Sequence, residues 1–377
     1  MTNSMGHTFS ITSFGESHGR CVGVVVDGCP AGLAITPAQI QRELDRRRPG
    51  QSDVTTKRQE DDRVEVLSGV FNGFTTGAPI CMLVWNRDRD SSGYEERRWT
   101  PRPGHADWTA HVRYGGFNDY RGGGRFSGRT TAGFVMAGAV ARRLLAETLG
   151  VEVLAHSKEI GGITAPDVSA DEIRANAEGN PVRCGDPEAA ERMAERIREV
   201  ALEGDSVGGA VECIALNLPP GIGEPVFGTL EGDLARALYS IPAVKAVEFG
   251  LGRGFASLKG SESNDAFTVK DGKLTTETNN AGGILGGLSN GMPIACTVTI
   301  KPTPSIGKRQ KTADISKMEE TNIEIGGRHD PCIVPRAVPV VEAMVAVVLA
   351  DHVIRAGLIP RVLEVRECAR MRKRLNR

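Results

Sequence analysis

Short apolar runs rich in β-branched residues alternate with turns at the start of the chain. HTFSITSF, the turn GESHG and RCVGVVVDG predict a hairpin. TPAQIQRELDRRR predicts a helix with Thr36 as N-cap and Pro37 at its first position. DRVEVLSGVFNG and APICMLVWN predict a second strand pair. From about Asp88 to Arg129 the pattern dissolves into a Gly/Arg/His-rich stretch, too long for an idle connection. Residues 130–149 predict an Ala-rich helix stopped by Gly150. Residues 164–204 are polar and helical, with Asp186–Pro187 opening a helix that ends at Gly204; they read as a solvated surface excursion.

The second half echoes the first. VVVDGCPAGL has a counterpart in IALNLPPGIG, and each precedes a helix-like segment, AQIQRELDRR or GDLARALYSI. TGAPICMLV is matched by NGMPIACTV, and GRTTAGFVMAGAVARRLL by PRAVPVVEAMVAVVLADHV. Matches in the same order imply an internal duplication, with pseudo-repeats at about 7–150 and 207–358 in one domain spanning 1–377. Strands followed by a helix in each half give an α+β fold. The segments 130–149 and 335–357 are apolar nearly all round, so these helices are expected between the sheets. Glu342 and Asp351 interrupt the second, which suits a buried helix better than a membrane span.

Charge narrows the partners. Forty-six Lys and Arg against 47 Asp and Glu leave a net charge of -1, which argues against a general nucleic-acid or membrane-surface binder. The eight cysteines form no C-x-x-C pair and read as reduced thiols, without disulfide or zinc framework. The first ten residues lack a basic segment followed by an apolar run, so a cytoplasmic protein is expected.

Three motifs mislead. GESHG satisfies G-x-S-x-G, but it leads into a strand, whereas a hydrolase elbow leads into a helix. DYRGGGRFSGRTTAG (119–133) holds G-x-x-x-x-G-R-T, which lacks both the phosphate-loop lysine and a feeding strand. Its single RGG, abutting a buried helix, is no RNA-binding tract. What survives is an anion site: Gly122–Gly124 for close backbone approach, Ser127 and Thr130 at a helix start, and Arg121, Arg125 and Arg129.

Chemistry concentrates in GESHGR (15–20), ELDRRRPGQS (43–52), PRPGHADWTAH (101–111) and GGRHDPC (326–332). His18 and His105, each in a Gly-rich loop, suit acid–base work. No metal-ligand spacing appears, so no metal is expected. In the run Arg46–Arg48 at most one or two side chains can face a common pocket. Arg46 and Arg48 read as a solvated helix end. Arg102, Arg129 and Arg328 come from separate loops and would together suit a ligand with several anionic groups.

These segments, with NNAGGILGG and KPTPSI, resemble the chorismate synthase family in content, order and spacing over nearly the whole chain. The resemblance implies a β-α-β sandwich with internal pseudo-two-fold symmetry, assembled as a homotetramer. It implies a carbon–oxygen lyase that converts 5-enolpyruvylshikimate 3-phosphate to chorismate and phosphate by anti-1,4-elimination. Reduced FMN is required without net redox change, and NADPH is a candidate reductant. The substrate carries two carboxylates and a phosphate, which Arg47, Arg102, Arg129 and Arg328, with Ser17 and Ser127, would hold. His18 would protonate the leaving phosphate, His105 would serve the flavin, and Asp330 would help remove the substrate proton. Flavin contacts carry over to Arg125, Phe126, Ser127, Pro242, Ala243, Gly286, Lys301, Pro302, Thr303, Pro304, Ser305 and Arg328, and Gly282, Gly283 and Gly287 would let backbone lie against the ring system. Asp53 stands where many relatives place a basic residue, with Lys57 or Arg58 as substitutes. Pro242 and Phe126 also depart from the family pattern and leave only backbone contacts. Two other classes stay open: an FMN-dependent reductase or oxidoreductase acting on an anionic substrate, and a non-catalytic anion- or RNA-binding module.

Overall fold

The computed structural model describes residues 3–50, 62–87, 93–95, 97–326 and 330–363. The first half runs β1 (Ser4–Met5), β2 (Ser10–Gly15), β3 (Cys21–Asp27), α1 (Pro37–Arg47) and β4 (Val64–Val66). A small hairpin, β5 (Val70–Phe71) and β6 (Phe74–Thr75), then precedes β7 (Ile80–Trp85), α2 (Asp107–Tyr114) and α3 (Thr131–Leu149). The second half holds β8 (Glu152–Ile160), β9 (Ile163–Thr164), α4 (Ala170–Asn176), α5 (Pro187–Leu202), β10 (Gly209–Leu216), α6 (Leu230–Tyr239) and β11 (Val244–Phe249). The one-turn α7 (Gly260–Ser263) and the hairpins β12–β13 (Phe267–Lys270, Lys273–Thr276) and β14–β15 (Ile284–Leu285, Leu288–Ser289) follow. Then come β16 (Ile294–Ile300), the hairpin β17–β18 (Gln310–Asp314, Glu319–Ile323) and α8 (Val334–Arg355).

Two antiparallel sheets, ordered β1-β2-β3-β7-β4 and β11-β16-β10-β8-β9, enclose a helical layer. Helix α3 lies on β2, β3 and β7, α8 lies on β8 and β10, and the two helices pack on each other. That crossing needs Gly138, where any Cβ would overlap Ala343. The α+β expectation and its β-α-β sandwich therefore hold. The echoed segments also occupy matching places: β2-β3-β7-β4 corresponds to β8-β10-β16-β11, and α1 packs on α3 as α6 packs on α8.

Local signals explain the elements. Thr36 and Gln39 form a capping box with Pro37 at the first helical position, so α1 starts where expected. Gly150, at φ 67°, ends α3 in the left-handed conformation. Helix α8 is long and apolar enough to cross a membrane by length and composition, yet nearly all of it is buried in this core. Its two acids are tied down. Asp351 accepts the backbone N–H groups of His7, Thr8 and Phe9 (2.6 Å from Thr8, 2.9 Å from Phe9). Glu342 accepts the Ala155 N–H at 3.0 Å, Arg46 Nη1 at 2.6 Å and Arg142 Nη1 at 3.0 Å, joining α8 to β8, α1 and α3.

Three expectations change. Arg46 is not a solvated helix end, because its guanidinium bridges Glu342, Glu43 and Glu178. Only Arg48, half-exposed and 3.8 Å from Asp45, fits that description. The excursion 164–204 is solvated on one side only: α5 buries Ala189, Ala190, Met193, Ala194, Ile197 and Val200. The aperiodic stretch before α3 contains the two-turn helix α2. The seven described cysteines are free thiols, five of them buried.

Candidate active site

Loops from both halves meet at a cleft of about 1160 Å³. Pockets for one small ligand usually measure roughly 300–1000 Å³, so this cleft is larger than one such ligand usually occupies. Eight arginines and lysines line it against two carboxylates, Glu16 and Asp330. Such an excess of cations calls for anionic ligands.

The glycine run is the centrepiece. Gly122, Gly123 and Gly124 adopt φ of 58°, 82° and 53°, a conformation side chains rarely take. Their missing side chains make room for this protein's own groups. A Cβ on Gly122 would overlap the His18 ring, and one on Gly124 the Asp119 carbonyl. A Cβ on Gly123 would sit 2.8 Å from His105 Cε1 and 3.0 Å from Nε2. Two histidines nearly ninety residues apart in sequence are thus seated on consecutive glycines. These glycines make room for the protein's own histidines, beside the backbone approach to a ligand expected of them. The His18 loop is held by the Ser17 N–H, which donates to the Gly124 carbonyl (3.1 Å), and by Tyr94, whose ring meets His18 edge-on at 5.0 Å. Ser127 Oγ accepts the Arg129 N–H at 3.3 Å, opening the short turn that leads into α3.

Two carboxylates stand behind the cationic wall. Asp62 is fully buried; it pairs with Arg47 Nη1 at 3.0 Å and with Arg129 Nη1. Burial alone would raise its pKa, but Arg47 and Arg129 outweigh it and hold the carboxyl below its ordinary value. Arg47 also donates to Thr131 Oγ1 (3.1 Å) and the Gly128 carbonyl (2.8 Å). Arg129 Nε donates to Asn86 Oδ1 at 2.9 Å. The Asn86 amide in turn donates to the carbonyls of Glu16 (2.9 Å) and Gly19 (3.0 Å), clamping the His18 loop. The second carboxylate, Asp107, opens α2 and bonds both Arg102 and His105. Asp330 pairs with Arg336, whose Nε donates to the Arg47 carbonyl at 3.2 Å.

The opposite wall follows β16. Lys301, Thr303, Pro304 and Ser305 line it beside Pro242, Ala243, Arg125 and Phe126. The Lys301 N–H donates to the Ala243 carbonyl (3.0 Å), its ammonium meets the Gly104 carbonyl, and Ser305 Oγ accepts from Arg102 Nη1 (3.3 Å). Arg125 meets Asn3 and lies over the Tyr114 ring at 5.8 Å. Thr303 Oγ1 is buried with no partner among the described residues. A buried hydroxyl left unpaired is costly. Thr303 lines the cleft with Lys301, Arg125 and Ser305, donors that suit a phosphorylated, polar-edged ligand.

The structure brings together Ser17, His18, Arg47, Arg102, His105, Arg125, Phe126, Ser127, Arg129, Pro242, Ala243, Lys301, Thr303, Pro304, Ser305 and Asp330. Pro302 does not line the cleft, because it turns away and packs on Gly208. Gly286 does not line it either; with Gly287 it makes the positive-φ turn of the β14–β15 hairpin. Gly282, Gly283 and Gly287 pack against Gly250, Pro293 and Thr229 and do not line the cleft. Arg328, Asp53, Lys57 and Arg58 lie outside the described residues. Sequence reasoning missed Asp62, Asn86, Arg336 and Tyr94. Asp107 was in view inside RPGHAD but had no role. Among the described residues no group of His, Cys, Asp and Glu could hold a metal ion.

A family model described as chorismate synthase matches residues 9–354. Chorismate synthase of Dehalococcoides mccartyi (strain BAV1) is 58% identical over 97% of this chain and 100% of its own length. That of Methanosarcina barkeri is 57% identical over 96% and 99%. A crystal structure of chorismate synthase superposes with a TM-score of 0.74 at 31% identity, covering 93% of both chains.

Proposed function

The chain belongs to the chorismate synthase family, and from that premise we propose which of its residues carry out the elimination. The enzyme converts 5-enolpyruvylshikimate 3-phosphate to chorismate and phosphate. One C–O bond to phosphate and one C–H bond break, a new C=C bond forms, and phosphate and a proton leave. The observation that carries our reading is the seating of His18 and His105 on Gly122 and Gly123 within a cation-lined cleft.

Arg47, Arg102 and Arg129, with Arg328, Ser17 and Ser127, bind the two carboxylates and the phosphate. Charge-assisted, bidentate pairing suits guanidinium to such groups. Asp62 keeps Arg47 and Arg129 ordered before the substrate arrives, which lowers the cost of binding. His18 gives a proton to the departing phosphate, and Asp330 takes part in removing the substrate proton. His105 presents its second ring nitrogen to the cofactor side, where it can accept or return a proton. The family uses reduced flavin, and we assign it as FMN held by Arg125–Ser127, Pro242–Ala243, Lys301 and Thr303–Ser305. When bound, it supplies transient electron density that eases C–O cleavage, with no net redox change. The unusually large cleft and the unpaired Thr303 hydroxyl support this assignment.

Phosphate release assayed without oxygen tests the reading. Turnover is expected with reduced FMN, with no stoichiometric loss of reductant, and none with oxidised FMN. Equal rates with both overturn it. NADPH consumed in step with product would instead favour an oxidoreductase.

We also read the chain as one domain of two pseudo-repeats, supported by the matched orders β3-β7-β4 and β10-β16-β11; superposing 7–150 on 207–358 tests it. A homotetramer fits the exposed apolar side chains of Phe227, Phe267, Val269 and Leu274, and light scattering reads the mass. Free thiols fit a cytoplasmic location.

A further inference from the structure

Within six residues the turn before α2 and the first position of α2 supply Arg102, His105 and Asp107, and one carboxylate bonds the other two. Asp107 Oδ1 lies 2.6 Å from His105 Nδ1 and 2.8 Å from Arg102 Nη2. Its Oδ2 accepts from Arg102 Nε at 2.8 Å and from the Arg102 backbone N–H at 3.0 Å. Arg102 Nη2 is almost equidistant from the two His105 ring nitrogens, at 3.0 and 3.2 Å. It therefore lies against the ring instead of pointing along either lone pair. The partner that fixes Nδ1 is Asp107.

We propose that Asp107 is a positioning residue for the elimination, fixing His105 with its proton on Nδ1 and locking Arg102 for anion binding. This rests on the roles given above to His105 and Arg102. A neutral imidazole bonded through Nδ1–H has only Nε2 left to present, and Nε2 sits at Gly123 on the cleft surface. Because Asp107 is the first residue of α2, the helix start fixes the carboxylate and favours its charge. Burial would raise the Asp107 pKa, but hydrogen bonds from Arg102 and His105 outweigh it, so the group stays ionised. The same carboxylate thus serves two functional groups, the His105 imidazole and the Arg102 guanidinium.

The test is a double-mutant cycle on the holoenzyme with reduced FMN, reading kcat and KM separately. Asp107→Asn keeps the shape and removes the charge. A lost tautomer is expected to lower kcat by about 10²-fold or more. In a His105→Ala background, Asp107→Asn is expected to leave kcat within about threefold of the single variant, since its route to the chemistry is already gone. Its KM effect, which runs through Arg102, persists in that background. Asp107→Glu is expected to recover part of the loss, and retained binding of oxidised FMN shows that the variants are folded. Multiplicative kcat losses in the double variant overturn the proposal, as does an Asp107→Asn enzyme with near-normal kcat. A His105→Ala enzyme with near-normal kcat overturns it by removing the role given to His105.

Discussion

Arg46 and Arg47 are neighbours at the end of α1, and each meets a buried carboxylate, yet they do different work. One step of about 100° around the helix separates them. Arg46 turns into the interface of α1, α3 and α8, where Glu342 also holds Arg142 and the Ala155 N–H. Arg47 turns to the cleft, where Asp62 also holds Arg129. The first cluster joins layers of the fold. The second holds two guanidiniums in place in the lining of the cleft, where the proposed reaction puts the substrate. A buried ion pair is therefore not a single kind of feature; what lies beside it decides what it does.

Variants separate the two clusters, and the largest effect belongs to the interior. Glu342→Ala takes from Arg46 and Arg142 the buried one of the two carboxylates they share, leaving only the more exposed Glu43, and is expected to cost about 3–5 kcal/mol of folding stability. Denaturant unfolding reads this, and substrate KM should stay near normal in whatever fraction folds. Arg129→Ala is expected to weaken substrate binding by about 2–5 kcal/mol; an unchanged dissociation constant would place Arg129 outside the pocket. His18→Ala should cut turnover by about 10²–10⁴ with little change in melting temperature. Gly122→Ala places a methyl group in the His18 ring, so it should lower turnover at least about tenfold, a strain of roughly 1–3 kcal/mol. Normal turnover in Gly122→Ala would show that His18 does not need this seat.

The smallest effect is in acid. Asp62 and Glu342 are both held below the ordinary carboxylate range: burial raises each, and the two arginines facing each outweigh it. A depressed folded value means the stabilisation is complete above the unfolded value near pH 4 and is lost as pH falls through the folded one. Unfolding free energy should drop as pH falls below about 4, and less steeply in Asp62→Asn or Glu342→Gln. An equally steep drop in both variants would mean that other carboxylates govern acid unfolding.

Much of the fold was legible because its signals are local. Thr36–Pro37 opens α1, Gly150 closes α3, and the all-round apolar 335–357 stretch can only sit in a core. The second-half hairpins went unread, although Asp271–Gly272 between β12 and β13 is a strong turn signal. Helix α2 is too short, and too rich in His and Arg, to show a period. At the site, histidines and arginines stood out because glycine-rich loops concentrate them. Asp62 did not, since an acid gains meaning only from what the fold sets beside it, and Arg47 and Arg129 lie 15 and 67 residues away. The glycines were legible as backbone that must come close to something. That the something is His18 and His105 required the folded chain.

The most direct test of the contrast measures substrate dissociation constant and unfolding free energy side by side for Arg46→Ala and Arg47→Ala. The account predicts that Arg46→Ala loses stability and binds substrate as the parent does, whereas Arg47→Ala binds substrate at least about tenfold more weakly. Equal loss of binding in the two variants, or none in Arg47→Ala, would contradict it.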